Sequence, residues 1–519
     1  MDIELGVKAQ VAARRSGHPW LEGDHLALGP GPQLFTDWRC VLPGEIGAMG
    51  PYWAEPDGTP IPLRLWDDVN RRDRPVRARF VPSDVPSGIR IVATTAQREG
   101  PLPAGAPPGR RIIYRDGLYQ TWFDRGTGEA IRPLWYAESS DGYEYGGERE
   151  CQFDWSAAPE AAGHERTEIF FDPSAPAEEG YKMFFRCGVP TEGEARRQIV
   201  EHFARERPDD IHPLGGDFRY LSGMWGATSP DGVRWTVLPG PLVIHYSDTT
   251  NVVYYDERLR RYVWYARCSA YGRRCIGRAE TEDFRRWPLP DLLVWPGLHH
   301  HPADDWYTNS KTLYPGTVDQ HLMFPALYHH MDDTSELRLF SSSDGIVWSE
   351  VPGPPSVPSG DAGAWDEGCV FGGTDLIPLG TDLVALPYGG YRFPHKYPRN
   401  PHTFRHDRGY AMWPAERLAA LEAEQDGSFT TLPMVARGRR VRLNAAVKAA
   451  GHILVEAADH KGQALPGHTF DDAMPILGDS PHHRVAWRGG DRIQLEERRS
   501  FMLRFRLRCA KLFAFEVEE

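Results

Sequence analysis

The sequence has no run of about 18 apolar residues, so no membrane-spanning helix is expected. It has no CxxC pair. Its seven cysteines (Cys40, Cys151, Cys187, Cys268, Cys275, Cys369 and Cys509) are odd in number and widely spaced, which argues against a zinc ribbon or a disulfide framework. No Lys/Arg block stands out against a net charge of -13, so neither nucleic acid nor an anionic membrane surface is an expected partner. The stretch from Met1 to Gly17 carries charges but no apolar core, and no secretory signal is expected; with reduced thiols this points to a cytoplasmic location. There is no P-loop, no dinucleotide fingerprint and no G-x-S-x-G frame around Ser480.

What the chain does have is turns. Its 52 glycines and 45 prolines are spread along all 519 residues, and 41% of residues are hydrophobic, enough for a large core assembled from many short strands. A repeat lies in those turns: SSDGYEY at Ser139, SPDGVRW at Ser229, TEDFRRW at Thr281, SSDGIVW at Ser342 and the weaker QDGSF at Gln425. The shared aspartates are Asp141, Asp231, Asp283, Asp344 and Asp426, and glycine follows in all but one copy. Gly accepts positive φ in a tight connection, and Asp can bond backbone amides two residues on.

Strand-like stretches precede each copy, for example Thr167 to Asp172, Asn251 to Asp256 and Lys311 to Tyr314. Five strand–turn–strand modules predict an all-β protein with a five-bladed β-propeller at 95–434. From 435 to 519 short alternating strands predict a C-terminal antiparallel β-sandwich. Residues 1–94 read as a partly irregular extension, with Gln33 to Asp37 a candidate to close the ring. Two segments carry helical spacing, Glu192 to Glu206 and Pro414 to Glu424.

Polar residues just ahead of each inner strand should converge on the propeller axis. Five acidic sites stand there: Glu99, Glu165, Asp248, Asp305 beside Asp304, and Glu367 beside Asp366. Paired carboxyl groups suit glycosidic bond cleavage, one protonating the leaving oxygen and one attacking carbon or activating water. Arg166, Asn251, Arg274, Asn309 and His395 carry donors for sugar hydroxyls, and Trp306 and Tyr307 could stack on a sugar face. The run His299-His300-His301 reads as structural or surface, because adjacent histidines on an extended segment point to opposite faces and the triplet cannot supply three ligands to one ion. No metal or cofactor is assigned, apart from the option of a single structural ion in the central channel.

The phrases WYAESSDG and RCIGRAETEDFRRW, with the tail from GHILVEAADHKGQALPGHTFDD to LRFRLRCAKLFAF, resemble the five-bladed propeller glycoside hydrolases of families 32 and 43 and their relatives, over about residues 95–519. The Asn-Asp-Pro-Asn and Arg-Asp-Pro signatures are absent, and the Glu-Cys pair occurs only as Glu150-Cys151, too early in the chain. The resemblance implies a first-blade carboxylate as nucleophile or base, a third-blade aspartate as stabiliser and a fourth-blade glutamate as acid. Carried over, Glu99 and Asp248 fill the first two places. The fourth blade offers Asp305 rather than Glu, so Glu367 of blade five is the alternative acid. The expected function is hydrolysis of a small glycoside or oligosaccharide, with a furanoside favoured. The alternatives are a propeller turned to non-hydrolytic biosynthetic chemistry and a non-catalytic sugar-binding propeller.

Overall fold

The computed structural model describes residues 26–29, 31–43, 64–67, 72–75, 85–102, 111–124, 133–161, 163–188, 193–210, 222–396, 406–460, 462–496 and 499–519. They fall into two compact units, 93–418 and 1–92 together with 419–519. Among the described residues no helix is long and apolar enough to cross a membrane.

The larger unit is a five-bladed propeller. Blade one is the antiparallel meander Arg111–Arg115, Leu118–Asp124, Leu134–Ser139 and Gly146–Glu150. Blade two is Glu165–Phe171, Tyr181–Gly188, Ser222–Ser229 and Arg234–Val237, with Gln152–Asp154 added in parallel on its outer edge. Blade three is Val252–Asp256, Arg261–Ala270, Arg273–Thr281 and Asp291–Val294. Blade four pairs Lys311–Leu313, His321–Met323, Phe340–Ser342 and Ser349–Glu350. At Pro325, which has no N–H to give the ladder, it breaks into a second sheet of Asp304–Trp306, Ala326–His329 and Thr334–Leu337. Blade five is Cys369–Gly372, Leu383–Tyr391 and His406–Pro414, and its outermost strand is Gln97–Glu99, from ahead of blade one. The last blade therefore borrows a strand from the start of the unit, which ties the two ends of the ring together.

Packing follows the same circle. One core cluster joins Trp122 and Tyr136 of blade one to Met183 and Trp225 of blade two. Others join Phe184 and Met224 to Trp264, Val263 and Tyr265 to Met323 and Phe340, and Ile377 and Tyr410 of blade five back to Ile112 and Tyr119 of blade one.

The Asp turns do more than reverse the chain. In the copies at Asp141, Asp231 and Asp344 one carboxylate oxygen accepts the serine hydroxyl two residues back and two backbone amides ahead, at 2.7–3.2 Å. The glycine that follows has φ of +82°, +75° and +71° respectively. Its carbonyl then accepts a bond from an aromatic side chain of the preceding blade: Tyr410 Oη to Gly142 at 2.6 Å, Trp122 Nε1 to Gly232 at 2.8 Å, and Tyr265 Oη to Gly345 at 2.6 Å. A Cβ at these glycines would meet the neighbouring blade at 2.8 Å, so conformation and close approach both demand glycine. The repeat visible in the sequence is an inter-blade staple.

Burial opposes ionisation of Asp231, but the amides of Arg234 and Val233, the Arg234 side chain and Ser229 hold its carboxyl at about 2. A lowered native value gives stability that is present above the ordinary 3.8 and lost as pH falls towards 2. Asp231→Ala should therefore cost about 1 kcal/mol at pH 7 in urea unfolding, and the difference should fade at pH 2. A difference that does not change with pH would assign the effect to something other than the charge.

The smaller unit is a β-sandwich around Phe35, Leu421, Ile453, Trp487 and Phe505. Its frame is two long antiparallel strands, Arg440–Asp459 and Phe501–Glu518, bent by bulges between Asn444 and Ala445 and between Val447 and His452.

Several sequence expectations need correction. Gln33–Leu34 pairs with the strand Phe501–Glu518 instead of closing the propeller. The boundary expected at 434/435 falls at 418/419. The segment 414–424 is not a helix: Ala419–Thr430 is a strand on Phe501–Glu518, and tertiary pairing overrides the helix propensity of its alanines and glutamates. Asp426-Gly427 lies at a bulge inside that strand and closes no blade. The helix expected at 192–206 is present as Glu194–Glu206.

Candidate functional site

At the leading ends of the inner strands, a polar network crosses blades two to five. The loop into blade three is fixed by Asn251, whose amide donates to the carbonyls of Thr249 and Ser247 at 3.2 and 3.5 Å and whose oxygen accepts Trp264 Nε1 at 3.0 Å. Asn309 does the same between blades, donating to the carbonyls of Thr250 and Tyr265 at 3.0 and 3.3 Å. Both residues are buried. They were expected to bind sugar; instead they stitch backbone and so aim Asp248 and Tyr307.

Asp248 accepts Tyr246 Oη at 2.8 Å and forms an ion pair with Arg267. Burial would raise its pKa, but Arg267 and Tyr246 outweigh burial and hold the carboxyl below its ordinary value. Arg274 stacks on the Tyr307 ring, 3.9 Å from its centroid. Burial lowers the Arg274 pKa most, against the pull of Tyr307, Asp248 and Asp305, so this guanidinium feels aspartates from two successive blades. Asp305 accepts the Arg274 amide at 3.0 Å and sits 2.7 Å from His330 Nε2. Tyr307 Oη meets His395 Nε2 at 2.9 Å. Glu165 joins from blade two through its ion pair with Arg186, whose guanidinium lies 5.1 Å from the Tyr246 ring.

Of the expected residues, then, Glu165, Asp248, Arg274, Asp305, Tyr307 and His395 share one network. Glu99 does not: it is exposed on the outer strand of blade five, bonded to Tyr143 Oη at 3.2 Å, because the segment that holds it closes the ring instead of opening an inner strand. Glu367 accepts the amide of Gly363 at 2.7 Å within its own loop, while Asp366 beside it is buried against Arg98 and Tyr388. Trp306 is core, packed on Phe340 with centroids 5.0 Å apart, and is not available to stack on a sugar. The Arg166 side chain lies outside the described residues. Tyr246, Arg267 and His330 were not anticipated. The signal for the first was Tyr246-Ser-Asp248, two positions apart on one side of an extended segment.

A second polar cluster lies on the axis itself. A cavity of about 390 Å³ is lined from all five blades, by the inner strands of blades one to four (Arg111, Tyr114, Phe171, Tyr254 and Lys311 among others) and by Asp375, just after the inner strand of blade five. Arg111 forms ion pairs with Asp375 at 3.0 Å and with Glu168. Lys311 Nζ stands 3.5 Å from the Tyr254 ring centroid. Burial pushes the Glu168 carboxyl up to about 8 and the Asp375 carboxyl up as well, in both cases against Arg111. It presses the Lys311 ammonium down to about 7, against the pull of Asp256. Carboxyls from separate blades thus do meet about Arg111, where Asp375 adds to the rise at Glu168, but they are Glu168 and Asp375, not the expected five.

The geometry defines a five-bladed propeller with a polar face at the leading ends of its inner strands. No family profile and no curated protein matches the chain. Among solved structures it is similar to an N-acetylgalactosamine deacetylase from F. plautii in complex with blood group B trisaccharide, at 14% identity over 64% of this chain and 90% of that one, TM-score 0.40. It is also similar to a thermostable family-43 glycoside hydrolase, at 11% identity over 62% and 92%, TM-score 0.36. A third is an exo-beta-1,3-galactanase from Phanerochaete chrysosporium with galactose, at 12% identity over 82% and 99%, TM-score 0.35. The architecture of this chain rests on its own strand order and blade packing.

Proposed function

We propose that this chain hydrolyses a glycosidic bond in a small glycoside or oligosaccharide, with a furanoside favoured, at the polar face of blades two to five. The observation that carries the reading is that Asp248 and Asp305, from blades three and four, engage the same hairpin of blade three, Asp248 through its ion pair with Arg267 and Asp305 by accepting the Arg274 amide. Glycoside cleavage needs one carboxylate that stays charged beside the developing oxocarbenium ion and one proton source for the leaving oxygen. Asp248, held ionised, takes the first role. The Asp305–His330 pair takes the second: it gives a proton to the leaving oxygen as the C–O bond breaks and recovers one from the water whose oxygen then bonds the anomeric carbon. Tyr307, His395 and Arg274 carry donors for sugar hydroxyls.

A second reading is binding without turnover, favoured by the ion pair that already engages Asp248 with Arg267. A panel of 4-nitrophenyl furanosides and pyranosides, followed by nitrophenolate release and in parallel by calorimetry, separates the two. Turnover of at least one member is expected. Binding of the same sugars with no release would establish the second reading, and neither binding nor release would overturn both.

A further inference from the structure

Between blades three and four the chain makes a turn that defeats the divergence expected of adjacent histidines. The His300 amide bonds the Gly297 carbonyl at 3.1 Å, so His299 and His300 lie on a bend and not on an extended segment. Their rings fall on the same side with centroids 4.0 Å apart. Gly297 permits this, since a Cβ there would meet the His299 ring at 2.9 Å. Both rings aim at one oxygen on the outermost strand of blade four: His299 Nε2 is 2.9 Å and His300 Nε2 3.3 Å from Glu350 Oε2.

We propose that His299, His300 and Glu350 form a binding site for a first-row divalent cation of the Zn(II) class. The three donor atoms lie within 4.8 Å of one another. Ligands about 2.0–2.1 Å from a tetrahedral zinc stand about 3.4 Å apart, so tenths of an ångström to about an ångström of side-chain movement seats the ion. Two imidazoles with one carboxylate oxygen select zinc, cobalt or nickel over calcium or magnesium, which prefer all-oxygen shells. The charge of Glu350 is already balanced by Arg338, whose Nε donates to Oε1 at 2.9 Å. The two imidazoles are therefore not needed as its counter-ions, and Arg338 orients the carboxylate so that Oε2 faces them. His300 is held against the Trp306 edge at 5.0 Å with its side chain 6% exposed, while His299 is 69% exposed and leaves the fourth position to water.

An ion here would clamp the crossover between blades three and four to the edge strand of blade four, a structural role independent of the proposed reaction. Equilibrium dialysis of the full chain against Zn(II) should show one saturable site, and Co(II) should give the intense visible bands of four-coordination. Since loss of an outer-shell partner alone typically weakens such sites 10–100-fold, His299→Ala and Glu350→Gln should each weaken Zn(II) binding by more than about a hundredfold, whereas His301→Ala should leave it unchanged. The melting temperature should rise with Zn(II) in the native chain and not in His299→Ala, an exposed position where the fold should persist even if Glu350→Gln fails to fold. No saturable site, Zn(II) binding that survives His299→Ala, or an equal preference for Ca(II) would overturn the proposal.

Discussion

Glu168→Gln is expected to fold and, at pH 9, to be more stable than the native chain by about 3–5 kcal/mol. The native Glu168 carboxyl titrates at about 8, against 4.5 for the ordinary side chain. Below pH 4.5 folded and unfolded chains both carry the proton, and the residue's full stability is present. As pH rises through the window to 8 the unfolded chain releases the proton and the folded chain does not, so stability drains away. An amide mimics the protonated carboxyl at every pH and still offers an oxygen to Arg111, so the gain should be near zero at pH 4.5 and reach its full size above 8. Lys311 runs the other way. Its native value of about 7 against 10.5 means that folding prefers the neutral amine, so Lys311→Met should add nothing above pH 10.5 and most at or below 7. Urea unfolding of both variants across pH 5–10 checks the two slopes. A gain of constant size in either would show that packing, and not buried charge, sets it.

That axial cluster marks the limit of what the sequence made legible. The Asp turns were readable because their chemistry is local: carboxylate, hydroxyl, amides and glycine lie within a few residues of each other. Their partners, Tyr410, Trp122 and Tyr265, come from another blade and left no mark beside them. Glu168 is one of several polar residues in the strand Glu165–Phe171, where nothing beside it sets it apart, and its meaning depends on Arg111 and Asp375 from blades one and five. Glu99 misled for a related reason: whether a short polar segment opens the first blade or closes the last is decided by a pairing more than 300 residues away, with His406–Pro414. Asn251 and Asn309 looked like ligand donors because amides suit sugars, yet the same donors suit orphaned backbone carbonyls, and only burial tells the two uses apart. The histidine run was judged by strand geometry, whereas a four-residue turn places the His299 and His300 rings on the same side.

Asp248→Asn is expected to lower kcat on any glycoside the chain hydrolyses by about 10²–10⁴-fold, with KM changed only a few-fold. Asparagine keeps the shape and can still accept Tyr246 Oη, but it removes the negative charge that would stand against the oxocarbenium ion, so the loss should fall on the transition state and not on ground-state binding. Because Arg267 and Tyr246 hold the Asp248 carboxyl below its ordinary value, the acid limb of the native kcat profile should lie below the pH of a free aspartate. The substitution also leaves Arg267, its side chain 19% exposed, without its anion, and a loss of about 1–3 kcal/mol in stability should accompany it. The two effects separate by experiment. A structural role would lower the fraction folded and be rescued by cooling or by added osmolyte, whereas a missing charge would not. Turnover unchanged in a folded Asp248→Asn protein would remove this carboxylate from the chemistry. A matching loss in Asp305→Asn and His330→Ala would then point to the blade-four pair as the sole acid–base centre, and an intact rate in all three would move the search to Asp375 on the axis.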